Sequence, residues 1–221
     1  MALLLVQQAI AHEMICAGRQ ISIKAASHMD RKEVCRAVAD AQTFLASAGL
    51  GLPGKVMIHV VDRLEGQHGE GQEIALYDGR DCSIHILSYA AARSVTRQDS
   101  MGGLGIMDLD LWRSYVVHEL THAAIHASCE RVCPDRAAHE YIAAVAQMSA
   151  MPVSLREAIM RRYGQLAGFA GRDEISEIYY ALSPSKFMVK SYRHYLMPGN
   201  GSSFIRALLE PASAVRVPAS K

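Results

Sequence analysis

His118-Glu119-Leu120-Thr121-His122 sets two imidazoles four residues apart, with a carboxylate beside the first. On a helix, residues i and i+4 lie one above the other, with Cβ atoms about 5–6 Å apart. Two imidazoles so placed can take two corners of a zinc tetrahedron. Glu119 points about 100° round the helix from His118, too far to ligate in the same plane. It can instead reach a water in the open fourth position, whose pKa zinc lowers to about 7. The expected chemistry is hydrolysis, with Glu119 as general base for attack on a carbonyl. A buried His-Glu-His group without a metal would carry a heavy desolvation cost. The plainer alternative is two helix histidines bonded to their neighbours and an exposed Glu119.

A third ligand must come from elsewhere. A His six residues after the second, reached through a Gly three residues on, would need Gly at 125 and His at 128. Those positions hold Ile125 and Ser128, so that pattern is excluded. His126 lies one turn beyond His122 and further from His118, so it reads as a neighbour of the site or a packed residue. Glu140 is the leading candidate. A helical hairpin of this length can bring it beside the His pair, and the small Ala143 and Ala144 let two helices approach closely. Gln147, two turns on, can bond to a ligand. His139 is the adjacent competitor. Glu130 and Asp135 would need the turn to fold back on the metal.

With 17 residues between His122 and Glu140, the set His118, Glu119, His122 and Glu140 resembles the gluzincin, thermolysin-like branch of zinc metallopeptidases. The resemblance covers residues 55 to 150. It implies a zincin-like fold, a zinc ion (Zn2+) held by His118, His122 and Glu140, and Glu119 as the catalytic base. It also implies a peptide or protein substrate and an edge strand that holds an extended peptide. Such enzymes need a donor to the tetrahedral oxyanion. Ser191-Tyr192-Arg193-His194-Tyr195 is the densest downstream cluster of donors, although Tyr192 and His194 are two apart and only one can face the metal. The run from Pro134 to Pro152 also resembles a group of bacterial predicted zincins that tend to be exported. Two other readings keep the same residues: a non-catalytic binding or scaffold protein on a zincin fold, and a hydrolase of a non-peptide amide.

The elements that must position these residues can be read in order. Ile21 to Lys24 alternates as a short strand. Asp30, with Glu33, opens a helix whose apolar stripe is Val34, Val38, Ala41, Leu45 and Ala48, stopped by Gly49 and Gly51. Lys55 to Val61 reads as a buried strand, followed by a Gly-rich loop from Gly66 to Gly71. Glu73 to Tyr77 and Cys82 to Leu87 are strands joined at an Asp78-Gly79 turn. Residues 90 to 108 read as a loop. Asp108 or Asp110 caps the motif helix, which runs to Ser128 and is apolar on most sides. Pro134-Asp135 starts the next helix, which runs to Ala150 before Pro152. Ser154 with Glu157 is a capping box for another. Gly168 to Gly171 is a break, Asp173 to Leu182 is amphipathic, and Ser183-Pro184 begins a segment that ends at Pro198 to Gly201. Phe204 to Leu209 is a last short helix. Sheet-forming segments at about 15–107 precede helical ones at about 108–210, with a loose tail at 211–221. That order predicts one α+β domain with the buried motif helix at its seam.

The 221 residues suit a single domain. Half are apolar, a fifth are charged, and the formal net charge is +1. With no basic block, that balance argues against a nucleic-acid partner. No apolar run reaches the roughly 18–20 residues of a membrane span. Met1 to Val6 has no basic residue and is too short for the roughly 7–15-residue core of a secretory signal. It is either the start of a cytosolic protein or a truncated start before a secreted domain. The bacterial resemblance favours a periplasmic or secreted location. There are five cysteines, so at least one cannot pair within the chain. Cys16 and Cys35 can bridge in an oxidising compartment. Cys129 and Cys133 share a helix face, where they are either bridged, bound to zinc, or two small apolar residues near a helix end.

Overall fold

The computed structural model describes residues 12–16, 21–64, 73–96, 103–129 and 133–210. The expectations for Met1 to Val6, the Gly66 to Gly71 loop, Glu130 and the 211–221 tail lie outside the described residues.

Five strands form one mixed sheet: β1 (His12–Ile15), β2 (Ile21–Ala25), β3 (Val56–Val61), β4 (Ala75–Asp78) and β5 (Ser83–Leu87). Their order is β1-β2-β3-β5-β4. The central pairs β2–β3 and β3–β5 are parallel, and the outer pairs β1–β2 and β5–β4 are antiparallel. Period-2 alternation decides the faces. Ile21, Ile23, Ile58, Ile84 and Ile86 are buried on the helix-bearing face, while His59 and His85 stack on the other. The expected α+β class holds. β1 was not foreseen, and β4 lies two residues later than the Glu73 start suggests.

The sheet carries α1 (His28–Ser47), α2 (Tyr89–Thr96) and α3 (Leu109–Ser128), and α4 (Arg136–Ala150) packs on α3 and α1. The stripe Val34, Val38, Ala41 and Leu45 of α1 is fully buried. Its cap is Ser27, whose Oγ accepts from the Asp30 backbone N at 3.2 Å. Asp30 is thus inside the first turn and does not open the helix. At the other end Gly49 takes φ +79°, which lets Leu50 N return to Leu45 O at 2.8 Å. The segment read as a loop from residue 90 begins instead with α2. Asp108 is the cap of α3, accepting from Leu111 N at 2.8 Å.

α3 is the central element. The Trp112 indole N–H donates to Leu87 O at 2.8 Å and ties α3 to the end of β5. Arg113 reaches the buried Glu33 of α1 at 2.9 Å. α4 lies against α3, and Ala137, Ala143 and Ala144, which flank Glu140 on that side of α4, are buried. The Arg156 guanidinium covers the last carbonyls of α4, those of Met148, Ser149 and Met151.

Four further helices follow: α5 (Val153–Arg162), α6 (Glu177–Leu182), α7 (Pro184–Tyr195) and α8 (Gly201–Leu209). α5 starts after Pro152 with no side-chain cap, so the expected Ser154–Glu157 box does not form. Asp173 to Leu182 is not one helix but a 3-10 turn, Arg172–Glu174, and then α6. Among the described residues, no helix is long and apolar enough to cross a membrane.

Gly168 marks a close approach. A Cβ there would lie 2.7 Å from the backbone N of His194 on α7. Helix backbone cannot give way as a side-chain tip can. Gly168→Ala should therefore lower stability by about 2 kcal/mol, the middle of the overpacking range. Urea unfolding measures this; a change within about 0.5 kcal/mol would show that the contact yields freely.

Candidate metal centre

α3 and α4 run side by side, and the turn between them is closed by a disulfide, Cys129–Cys133. These two cysteines do not share a helix face, because α3 ends at Ser128 and α4 begins at Arg136. Cys16 and Cys35 form the other bridge, and Cys82 is the free cysteine.

The helix pair brings three side chains of the expected set together. His118 Nε2 and His122 Nε2 are 3.1 Å apart. Glu140 Oε2 is 3.4 Å from the first and 3.7 Å from the second. The edge of a zinc tetrahedron with bonds of about 2.0–2.1 Å is about 3.4 Å, so these three separations fit three corners of one. Glu140 Oε2 is buried and has no hydrogen-bond partner among the described residues. An orphaned carboxylate oxygen facing two ring nitrogens is what a cation would satisfy.

The proton inventory strengthens this. Gln147 Nε2 donates to Ser114 Oγ at 3.2 Å, and the Ser114 hydroxyl donates to Leu111 O at 2.6 Å. Gln147 therefore presents Oε1 to His118 Nδ1, at 2.9 Å. The ring proton of neutral His118 sits on Nδ1, leaving Nε2 with a bare lone pair. A single proton on His122 could satisfy only one of its two neighbours. The pocket thus attracts positive charge. Burial alone would lower His118, but Glu140 beside it raises it overall. Burial alone would raise Glu140, but His118 and His122 hold it well below the usual carboxylate range.

Glu119 is 7% exposed and lines the same cleft. Burial raises its carboxyl, with His118 and His122 pulling the other way. The cleft encloses about 850 Å³. β4 forms one wall, and its outer edge pairs with no strand among the described residues.

The other candidates are placed elsewhere. The His139 ring stacks on His122, with centroids 5.9 Å apart, and does not join the three donor atoms. His126 Nδ1 bonds to the Tyr77 hydroxyl at 2.9 Å, so it fastens β4 to α3. Asp135 caps α4 and pairs with Arg172. The cluster around His194 is not at the cleft. His194 bonds to the Tyr141 hydroxyl at 2.7 Å and packs on Phe204. The Arg156 guanidinium lies over the Tyr192 ring. Tyr180 of α6 also lines the cleft, with its hydroxyl near the Glu140 carboxylate. Burial, and then Glu140, raise its pKa, so it keeps its proton. No motif marks Tyr180 in the sequence, because α6 reaches the site only through its packing on α4 and α7.

Gln147→Ala should weaken metal affinity by about 10–100-fold, since nothing else holds the His118 tautomer. Competition against a chromogenic chelator measures it. An unchanged affinity would show that Gln147 does not orient His118.

No curated protein and no solved structure matches the chain. Across residues 21–218, which include every residue of the site, the chain belongs to a family of unknown function, DUF6639.

Proposed function

We propose that the protein is a zinc-dependent hydrolase of the metallopeptidase type, resembling the gluzincins. The observation that carries this reading is the convergence of His118, His122 and the orphaned Glu140 oxygen beside the buried Glu119. Two imidazoles and one carboxylate form a donor set that suits zinc and leaves a position open. When bound, zinc lowers the pKa of water to about 7 and polarises a carbonyl.

The chain's own groups supply the rest. Glu119 accepts a proton from the attacking water and passes it to the leaving amide nitrogen, so the carboxylate is regenerated. Burial suits it to this exchange by favouring the protonated form. Tyr180 donates its O–H to the oxygen on which charge develops. The unpaired edge of β4 offers backbone N–H and C=O groups to an extended substrate, which favours a peptide. The Cys16–Cys35 and Cys129–Cys133 bridges support an oxidising compartment, periplasmic or extracellular.

Purified protein should hold about one equivalent of zinc and cleave peptides. A chelator should abolish cleavage and added zinc restore it. Glu119→Gln should keep the metal and lose cleavage by at least about a thousandfold, because the amide cannot take the proton and Glu140 is committed to the metal. A variant that retains zinc and still cleaves at the wild-type rate would sink the general-base role. Zinc binding and peptide binding without any cleavage would favour a scaffold protein instead.

Tyr180→Phe should lower kcat by about 10²–10³-fold with little change in KM, as expected of a group that acts in the transition state. A fall of less than about threefold would exclude Tyr180 as the donor.

A further inference from the structure

The cleft has two unlike ends. Tyr115, His118, Glu119, His122 and His126 of α3 all line it. They form one stripe over 12 residues, about 16 Å from first to last. That length spans about five extended substrate residues.

At the start of α3 the walls are largely apolar, with Glu73 the charged exception. Leu104, just before the helix, and Ile74, just before β4, are both buried beside Tyr115 on the cleft lining. At the end of α3 the walls are polar. Tyr77 and His126 meet there, and the Cys129–Cys133 bridge brings the first residue of α4, Arg136, to the same end. Arg136 is the sole Lys or Arg lining the cleft among the described residues. It is exposed, and its side chain makes no ion pair or hydrogen bond within the described residues. It sits one turn before Glu140 on the same face of α4, and its charge is felt at the Tyr180 hydroxyl. A guanidinium with no partner among the described residues, one helical turn from Glu140, can hold a carboxylate.

Direction follows from the sheet. β4 runs from Ile74 toward Gly79, whose Cα side faces the His126 ring, so its end and the end of α3 coincide. A peptide pairing antiparallel to β4, the better-bonded arrangement, has its amino end beside Arg136 and its carboxyl end beside Tyr115.

We propose that the cleft takes peptides with an acidic side chain within two residues on the amino side of the scissile bond. Arg136 is the residue that reads the acid. This rests on the hydrolase reading for the position of the bond, but the recognition itself can be measured without turnover.

The experiment uses the zinc-loaded Glu119→Gln chain and fluorescently labelled peptides with blocked termini, read by anisotropy. One peptide carries Glu two residues before a Gly-Phe bond; the others carry Gln or Lys there, or Glu moved to the carboxyl side. The Glu peptide should bind about tenfold more tightly than the Gln peptide. Arg136→Gln should erase that ratio, and Arg136→Glu should turn the preference toward Lys, with unchanged melting temperatures as the folding control. Equal binding of the Glu and Gln peptides, failure of both to bind, or a preference for acid on the carboxyl side would each overturn the proposal. Discrimination without cleavage by the wild-type chain would leave recognition intact and remove the hydrolase reading. Cleavage without discrimination would do the reverse.

Discussion

Three acceptor atoms crowd together on one cleft wall, and much of the molecule is arranged to hold them there. His118 Nε2, His122 Nε2 and Glu140 Oε2 lie within 3.7 Å of one another. Glu140 is 7% exposed, so water does little to screen it. Lone pairs and a buried carboxylate at that spacing are unfavourable unless a cation sits among them. The cost must be carried by packing that leaves the three groups no way to part. α3 provides it by being buried on nearly all sides. It is tethered to β5 through Trp112, to α1 through Arg113, and to α4 by a seam of alanines closed with a disulfide. The His118–Gln147–Ser114 chain then fixes which nitrogen carries the proton. The polar arrangement thus depends on an apolar scaffold that was folded around it.

The alanine seam explains why the third donor is a Glu. An i, i+4 pair on α3 supplies two atoms, and a third must arrive from a facing helix at close range. Ala143 and Ala144, one turn beyond Glu140, remove the bulk that would hold α4 away. A carboxylate on a short stem then spans the remaining gap. His139, one residue earlier, points about 100° round α4 and stacks on His122 instead.

The site's centre was legible in the sequence because its parts are local or tied to helical period. His118, Glu119 and His122 share one turn, and Gln147 and Glu140 share a helix face. The parts that escaped are those whose position depends on packing between distant segments. Tyr180 lies on a six-residue helix with no fully buried residue of its own, and it reaches the cleft only because α7 and α4 carry it there. The cluster at Tyr192 to Tyr195 has the richer chemistry in sequence, yet α7 turns it toward Tyr141 and Phe204. The same division holds for the fold. The stripe of α1 and the capping Asp108 and Asp135 are strong local signals. Ser27 and Asp30 are both competent caps, and only the packing that buries Asp30 decides between them. α2 was missed because it buries a single alanine and so shows no stripe. β1 is four residues long, too short for alternation to stand out.

His126 shows how one helix can set both the chemistry and the reach of the site. By sequence it is a surplus imidazole, a turn past the second ligand. Its bond to Tyr77 instead fixes the distance between the edge of β4 and the stripe that carries His118 and His122. An extended chain laid on that edge is therefore held at a set offset from His118 and His122. α3 advances about 1.5 Å per residue and a strand about 3.3 Å. The 12 residues from Tyr115 to His126 consequently face only about five positions of a bound peptide. Within that window the walls change from largely apolar to cationic, so a chain entering in one direction meets different partners from a chain entering in the other. The tie between His126 and Tyr77 thereby turns a property of the walls into a choice of substrate polarity, and it does so with a residue that coordinates nothing.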